Sequence, residues 1–295
     1  DFEGTTDQTE ILTGNGAAEL IYALCRAVPA GRALLTAPSF QEYENALEAA
    51  DHSCEFLYLK EENDFILLLQ ELLLKITEET SLVFLCNPGN PTGTVTGKAE
   101  LVRLAERCEE TKTFLCVDEC FLPFLPGEPA LSMKGETVRF PHLAVLRAFT
   151  KVYGMPGLRL GYLMTGNREL AGRLKEKLPP WNVSLPAQLA GAAALKAEGY
   201  LEKTRELIRG EKEKLVSLLL ETVADRVYPG SANFLLFHGR EGLKEALLDR
   251  KILIRDCSNF KGLSRGYYRI CIRTQEENER LKEILYSLAG KEAGK

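Results

Sequence analysis

The sequence predicts an α/β protein in which helices sandwich a mostly parallel sheet, with a small α+β domain at the C-terminal end. Short runs that are apolar throughout, such as RALLTAP and SLVFLCNP, alternate with amphipathic segments such as KAELVRLAERCEE. Fully apolar runs are typical of strands buried on both faces, and the intervening helices supply the crossovers that parallel strands need. Beyond about residue 224 the order changes to β-α-β-β-α, which is typical of a separate α+β unit.

Strands and helices can be assigned in order along the chain. The first strands are EILTG, RALLTAP, EFLYLK, SLVFLCNP and TFLCVDE, separated by helices at AAELIYALCRAV, QEYENALEAA, FILLLQELLLKI and KAELVRLAERCEE. Strands LAVLRAFT and RLGYLM follow, and then a helical stretch from residue 186 to about residue 224, interrupted near Gly199. Strands SANFLLFHG, ILIRD and GYYRICIR, with helices REGLKEALLDRK and QEENERLKEILYSLAG, complete the chain.

These assignments predict a large domain at residues 1–224 and a small domain at residues 225–295. The chain starts at Asp1 rather than at a methionine and enters a strand almost at once. We therefore expect an N-terminal section of the large domain to be lacking.

Composition and charge exclude several classes of partner. The formal net charge is −5 and no cluster of Lys and Arg is present, which argues against a nucleic acid or a membrane surface as partner. No apolar run reaches the length of a membrane span. The 8 cysteines include no Cys-x-x-Cys pair and there are only 3 histidines, so we expect no metal site. Reduced core cysteines are typical of a cytoplasmic protein.

Two polar turns follow strand-like runs, at the position where this architecture binds ligands. In the first, Asn15 and Gly16 lie between a strand and a helix, whose free N–H groups can bind a phosphate. A tight turn without function is the alternative. In the second, Asn87 and Asn90 lie in a proline-rich turn. An amide held there can donate to a phenolate oxygen, although such a turn also needs no function.

Two charged side chains also lie next to apolar strands. Asp118 ends such a strand, where a carboxylate is costly without a partner. It could be a helix cap or part of a structural ion pair, or it could keep a heteroaromatic nitrogen protonated. Lys151 follows another strand and is expected to lose hydration there, which makes its amine a nucleophile. Arg159, with Thr150, could neutralise a phosphate.

Together these side chains complement one ligand, pyridoxal 5′-phosphate. It carries an aldehyde, a pyridine nitrogen, a phenolate and a phosphate. The side chains that match these groups are, in the same order, Lys151, Asp118, Asn90, and the set of Gly16, Thr150 and Arg159.

The motifs GNGAAE, NPGNPTG, VDECF and TKVYGMPGLRLGY resemble those of the fold-type-I pyridoxal-phosphate-dependent enzymes of the class I/II aminotransferase family. The resemblance covers essentially the whole chain and implies the aspartate aminotransferase-like fold. It implies that Lys151 binds the cofactor's aldehyde covalently, that Asp118 pairs with the ring nitrogen, and that Asn90 bonds the ring oxygen. It further implies homodimers that share their active sites.

The resemblance assigns roles to further residues. Phe40 would stack on the cofactor ring, and Arg269 would bind the substrate carboxylate. The phosphate group of the cofactor would be held by Gly16, Ala17, Thr150 and Arg159. Asn15 and Arg273 are candidate substrate-binding residues.

Within the family, the chain is similar to two branches that act on phosphorylated amino-acid substrates. These are the threonine-phosphate decarboxylases of cobalamin biosynthesis and the histidinol-phosphate aminotransferases. Phe121, where aminotransferases usually have tyrosine, favours the decarboxylases, as do the segment ILIRDCSNFKGL and Arg273. We therefore expect decarboxylation of L-threonine O-3-phosphate, with an aminotransferase as the alternative. A degenerate, non-catalytic protein of this fold is a third reading, which Ala148 would favour because relatives often have a phosphate-binding Ser or Thr there.

Arg269 and Arg273 face the same side of an uninterrupted strand, because side chains alternate between faces. Their Cα atoms would then lie about 13 Å apart, and the two long side chains could converge on a doubly anionic substrate. Alternatively, Arg273 pairs with a glutamate at the surface. The sequence leaves both possibilities open.

Overall fold

A seven-stranded sheet organises the larger part of the molecule, of which the computed structural model describes residues 6–290. Residues 1–5 and 291–295, at the outer ends of the two predicted domains, lie outside the described residues. The strands are β1 (Glu10–Asn15), β2 (Arg32–Ala37), β3 (Ser53–Tyr58), β4 (Thr80–Cys86), β5 (Phe114–Asp118), β6 (Leu143–Ala148) and β7 (Leu160–Thr165). Their order is β1-β7-β6-β5-β4-β2-β3. β7 runs in the opposite direction to the other six strands. The predicted mostly parallel sheet is confirmed.

Helices cover this sheet on both faces. Those that precede the second sheet are α1 (Ala17–Ala27), α2 (Glu42–Glu48), α3 (Leu69–Lys75), α4 (Lys98–Thr111), α5 (Glu128–Leu131), α6 (Phe149–Val152), α7 (Arg168–Lys177), α8 (Leu185–Ala194) and α9 (Tyr200–Thr222). One apolar cluster joins α1, α2 and α7 to one face, and another joins α3 and α4 to the other face. Within β4, Phe84 belongs to the first cluster and Val83 to the second. This strand is therefore buried on both sides, as its apolar sequence predicts.

A second sheet of four antiparallel strands follows, in the order β10-β11-β9-β8. Its elements are β8 (Ala224–Val227), β9 (Phe234–Gly239), α10 (Leu243–Leu248), β10 (Arg255–Asp256), β11 (Tyr267–Cys271) and α11 (Gln275–Leu288). The predicted α+β character of this part is confirmed. The domain boundary at residues 224 and 225 stays a prediction, because α9, on its N-terminal side, shares an apolar cluster with α11 and β9.

The helical stretch after residue 184 is divided as predicted. Ser184 caps α8, with its side chain accepting a hydrogen bond from the Ala187 backbone N–H. α8 ends at Ala194, and Gly199, with φ of +70°, is the N-cap of α9. Glycine adopts this left-handed conformation without the steric cost of a Cβ, so a new helix can begin here.

One helix begins later than the sequence predicts. The run FILLLQELLLKI was expected to be helical from Phe65, but α3 spans only Leu69–Lys75. Phe65 has a φ of +56° and is buried against Tyr228 and Tyr267 of the second sheet, with ring centroids 5.0 and 6.2 Å away. This aromatic contact between distant segments overrides the local helical preference.

No helix among residues 6–290 is long and apolar enough to cross a lipid bilayer. In the same range, no group of three or more His, Cys, Asp or Glu side chains is arranged to hold a metal ion.

A buried ionic cluster joins β5 and β6 to the segment around α5. Arg147 of β6 donates to Glu119 through Nε at 3.1 Å and Nη2 at 2.7 Å, and also bonds Glu128. Glu119 accepts two further bonds, from the Ser132 hydroxyl and the Met133 backbone N–H, both at 2.7 Å. Burial raises the pKa of Glu119, so the nearby guanidinium charge and these donors are needed to keep its charged form in the interior.

Arg147→Ala should lower the free energy of unfolding by about 3–5 kcal/mol, because it leaves two buried carboxylates without their cation. Urea denaturation measures this change. Arg139→Ala is the matched control, since the Arg139 side chain pairs with Glu106 at the surface and is 57% exposed; it should cost less than about 1 kcal/mol. Equal losses in the two variants would show that the cluster does not stabilise the interior.

Candidate active site

The end of β1 and the start of α1 form an anion cradle with the residues before β7. Gly16 has a φ of +78° and is the N-cap of α1, so the backbone N–H groups that follow it are free to bind an anion. The Arg159 guanidinium lies directly over Gly16, in the space that a Cβ there would occupy. Gly161 is needed for a similar reason, because a Cβ on it would lie 2.6 Å from the Ala17 backbone nitrogen.

Strand register brings the remaining phosphate candidate to the same edge of the sheet. Ala148 of β6 pairs with Gly161 of β7, which pairs with Gly14 of β1. Thr150 lies two residues beyond Ala148, at the same end of the sheet as Gly16, and only 6% of its surface is exposed. The structure therefore brings Gly16, Ala17 and Arg159 together and positions Thr150 on the adjoining helix, α6.

Asp118 ends β5 as a buried anion that is 5% exposed. Its Oδ2 accepts a hydrogen bond from the Tyr43 hydroxyl at 2.6 Å, and its Oδ1 accepts one from the Cys120 backbone N–H at 2.9 Å. Within residues 6–290 it forms no ion pair with a Lys, Arg or His side chain. Burial, followed by the charge of Asp118, raises the pKa of Tyr43 well above its usual range, so this phenol remains a hydrogen-bond donor. The carboxylate is thus held in place by donors but lacks a cation.

Lys151 lies on α6, one residue after Thr150, and its side chain is exposed. Its Nζ is 6.0 Å from the centroid of the Phe121 ring and makes no hydrogen bond or ion pair to any residue in the range 6–290. The loss of hydration that the sequence predicts is not seen for the Lys151 side chain. The ammonium is instead accessible, beside an aromatic ring and without a fixed partner.

Asn90 and Arg269 contact each other across the two sheets. Nη1 of Arg269 donates a hydrogen bond to Oδ1 of Asn90. Because a guanidinium can only donate, the amide oxygen of Asn90 must face Arg269, which leaves its Nδ2 as a donor for another acceptor. The loop that carries Asn90 is held against the second sheet at Gly93, whose carbonyl accepts from the Ser231 backbone N–H at 2.6 Å. A Cβ on Gly93 would lie 2.9 Å from Gly230 Cα, so these backbones are in close contact.

The Arg269 guanidinium has few protein partners for a half-buried cation. Burial lowers the pKa of Arg269, and its Nε is buried without a hydrogen bond. Its guanidinium carbon lies 4.9 Å from the centroid of the Phe234 ring. A desolvated guanidinium with an unused donor favours an anionic ligand.

Arg255 of β10 stands directly opposite Arg269 in the strand register, and sequence analysis did not identify it. Two like charges at paired positions of neighbouring strands repel each other. Arg255 is held by a bond from its Nη2 to Asn259 Oδ1 at 2.8 Å, and its guanidinium lies 5.2 Å from the centroid of the Phe260 ring. Only the pairing of ILIRD with YYRICIR could have revealed this site, because the two arginines are remote in sequence.

Arg273 does not lie on the same strand as Arg269. β11 ends at Cys271, and the Arg273 side chain is 61% exposed and paired with Glu277 one helical turn away. The structure therefore matches the surface ion pair, the second possibility that the sequence left open. β11 stops short of Arg273, and Thr274, the N-cap of α11, follows Arg273 directly.

The other candidates lie around this site. Phe40 precedes α2 and packs edge-on against Tyr43, with ring centroids 5.6 Å apart. Asn15 is exposed, and its backbone N–H donates to Glu19 Oε2 at 2.7 Å.

A cavity of about 680 Å³ opens beside Arg269. Most of the charged side chains that line it are cationic, with two carboxylates among them. The cations are Lys244, Lys251, Arg255, Arg269, Arg273 and Arg280, and the carboxylates are Asp256 and Glu277. The cavity therefore suits an anionic ligand.

The fold and site define an enzyme of the class I/II aminotransferase type. The family model for "Aminotransferase class I and II" matches residues 2–285, so the chain belongs to that family of pyridoxal-phosphate-dependent enzymes. Its fold is aspartate aminotransferase-like.

Three similar proteins illustrate its relationships. The threonine-phosphate decarboxylase of Salmonella typhimurium is 38% identical over 283 residues, which cover 93% of this chain and 76% of that protein. A histidinol-phosphate aminotransferase of Methanococcus maripaludis is 30% identical over 284 residues, which cover 93% of this chain and 74% of that protein. The crystal structure of the histidinol-phosphate aminotransferase from Clostridium acetobutylicum has a TM-score of 0.91 and 30% identity, covering 98% of this chain and 86% of that chain.

Gly16→Ala should lower the free energy of unfolding by about 1–3 kcal/mol, because alanine is strained at this φ. It should also weaken pyridoxal 5′-phosphate binding about tenfold, since its Cβ displaces the Arg159 guanidinium. Chemical denaturation and equilibrium dialysis measure the two effects. Gly97→Ala is the control, because Gly97 caps α4 with a φ of −67°. Cofactor affinity unchanged in Gly16→Ala would rule out this cradle as the phosphate site.

Proposed function

We propose that this chain binds pyridoxal 5′-phosphate and catalyses decarboxylation of L-threonine O-3-phosphate to aminopropanol phosphate, a step of cobalamin biosynthesis. The observation that carries the proposal is the pair of cations formed by Arg255 and Arg269 on neighbouring strands. Their repulsion is relieved when a ligand with negative charge lies between them. The similarity to the Salmonella decarboxylase gives independent support.

The substrate carries two anionic groups, a carboxylate and a phosphate, and the site offers a guanidinium for each. Arg269 is the less exposed one and is bonded to Asn90, whose Nδ2 is the proposed donor to the ring oxygen. Arg255 is the more exposed one, at the edge of the sheet in the cationic cavity. Arg273, on the rim of the same cavity, is already neutralised by Glu277 and contributes less.

The residues present fit the cofactor. Asp118 is a buried carboxylate without a cation among the described residues, and a protonated ring nitrogen would supply one. The Gly16 N-cap and the overlying Arg159 guanidinium fit a phosphate. Nδ2 of Asn90 is directed away from Arg269 and can donate to a ring oxygen. Phe40 would pack on the face of the ring.

When bound, the cofactor supplies a protonated ring that accepts the electrons left on the substrate's Cα when one of its bonds breaks. Asp118 holds the proton on the ring nitrogen. Arg255 and Arg269 would bind the carboxylate and phosphate groups and so orient the substrate, which would decide which of its Cα bonds breaks. After CO₂ leaves, Lys151 Nζ gives a proton to Cα, for which its exposed position is suited.

An aminotransferase is the second candidate. The histidinol-phosphate aminotransferases of Methanococcus maripaludis and Clostridium acetobutylicum support it, since both match this chain at 30% identity. The same residues would then orient the Cα–H bond instead of the carboxylate. Phe121 favours the decarboxylase by resemblance alone, because the aminotransferases of the family usually have a tyrosine at this position.

We also propose that the chain acts as a cytoplasmic homodimer. An apolar groove of about 550 Å³ lies beside β1 and α8, with Trp181 95% exposed at its edge. Leu185 and Leu189 of α8 are also mostly exposed. The 8 cysteines are free, which is typical of a reducing compartment. The mass in solution by light scattering tests the dimer.

Purified protein supplied with pyridoxal 5′-phosphate should release CO₂ and aminopropanol phosphate from O-phospho-L-threonine. Lys151→Ala should lose the visible absorption of bound cofactor and at least about 10²-fold in rate. Lys177→Ala, at the end of α7, is the control. Formation of glutamate from 2-oxoglutarate and an amino-phosphate donor, without CO₂, would instead support the aminotransferase.

Arg255→Gln should raise the KM for O-phospho-L-threonine about tenfold to a hundredfold, because it removes charge-assisted bonds to an anionic group. Arg273→Gln, which loses only a surface ion pair, should change KM less than about threefold. Steady-state kinetics on both variants distinguish the two arginines. A larger effect at Arg273 would mean that the chain after Cys271 rearranges to bring it into the site.

A further inference from the structure

Tyr43 contacts Asp118 from α2, the helix that begins shortly after Phe40. Its hydroxyl donates to Asp118 Oδ2 at 2.6 Å, and both side chains are buried. The carboxylate also accepts the Cys120 backbone N–H on Oδ1, and the Cys120 thiol lies close enough to interact with it. Among the described residues, Tyr43 donates the one hydroxyl hydrogen bond to this carboxylate.

The Tyr43 ring has little freedom to move. It is 1% exposed and stacks on Phe84 of β4, with ring centroids 4.9 Å apart and an angle of 9° between the planes. Phe40 also packs edge-on against the Tyr43 ring. Because these contacts fix the ring, the direction of the O–H bond to Asp118 is also fixed.

The two donors leave part of the carboxylate unused. A carboxylate offers about four acceptor positions, one of which is filled on each oxygen. A bond on each oxygen also prevents the group from rotating about its Cβ–Cγ bond. The remaining positions are thus presented in one direction, in a site without a protein cation.

We propose that Tyr43 is a positioning residue, which sets the orientation and charge of Asp118 for the ring nitrogen of the cofactor. This inference rests on the proposed function, because it assumes that pyridoxal 5′-phosphate is the ligand. Phe40, in the segment that precedes α2, would then contact the face of the ring, and Tyr43, on α2, would act on its edge through Asp118.

The test compares two forms of the cofactor. Tyr43→Phe should weaken binding of pyridoxal 5′-phosphate about tenfold, because the carboxylate loses a charge-assisted bond. It should leave unchanged the binding of an analogue in which C–H replaces the ring nitrogen, since Asp118 then has nothing to pair with. Equilibrium dialysis measures both affinities, and circular dichroism verifies the fold of each variant.

Tyr22→Phe is the matched control. It also removes a hydrogen bond from a phenol to a carboxylate, because the Tyr22 hydroxyl donates to Glu42 Oε2 at 3.1 Å. Both affinities should stay at the wild-type values. Equal weakening of the cofactor and the analogue by Tyr43→Phe would overturn the inference, because it would reflect general damage to the site. Unchanged affinity for both would overturn it as well.

A double-mutant cycle tests the route of the effect. In an Asp118→Asn background, Tyr43→Phe should change cofactor affinity less than about twofold, because its partner is already neutral. A full tenfold loss in that background would mean that Tyr43 acts independently of Asp118. If the wild-type protein binds no pyridoxal 5′-phosphate, the proposed function fails and this inference falls with it. Wild-type binding without the selective effect of Tyr43→Phe defeats the inference alone.

Discussion

The negative charge of Asp118 in the interior is the constraint around which the site is built. Glu119, the next residue, is also a carboxylate in the interior, but its charge is compensated entirely by protein groups. Glu119 points to the other face of the sheet, where Arg147 and several hydrogen-bond donors compensate it. Asp118 receives donors but no cation from the described part of the chain. Of these two adjacent carboxylates, Glu119 is paired with a protein cation and Asp118 is not, so Asp118 is the one that can pair with a ligand.

Local sequence patterns were sufficient for the central part of the site. Asp118, Asn90 and Lys151 each follow an apolar strand within a few residues, so their position at the ligand-binding edge follows from the fold class. The cradle of Gly16 and Arg159 was also predictable, because a glycine at a helix start and a cation before a strand are both local signals. The mostly parallel sheet followed from the same apolar runs.

Residues whose role depends on contacts between distant segments could not be predicted in this way. Arg255 becomes notable only when β10 is paired with β11 and Arg269 lies opposite. For Arg273 the sequence left a substrate contact and a surface ion pair both open, and the end of β11 at Cys271 with the pairing to Glu277 favours the ion pair. Phe65 was expected in a helix, but its burial against the second sheet decides its conformation. Strand register and tertiary packing, rather than residue type, carry this information.

The close contact of Gly93 with Gly230 ties the Asn90 loop to the second sheet, although the loop belongs to the first in sequence. Arg269, on that second sheet, is bonded to Asn90 itself. The arginine proposed to bind the substrate and the amide proposed to bond the cofactor ring are therefore linked directly to each other. If the second sheet shifts as a substrate enters, the environment of the cofactor shifts with it, so that occupancy at one end of the site is transmitted to the chemistry at the other.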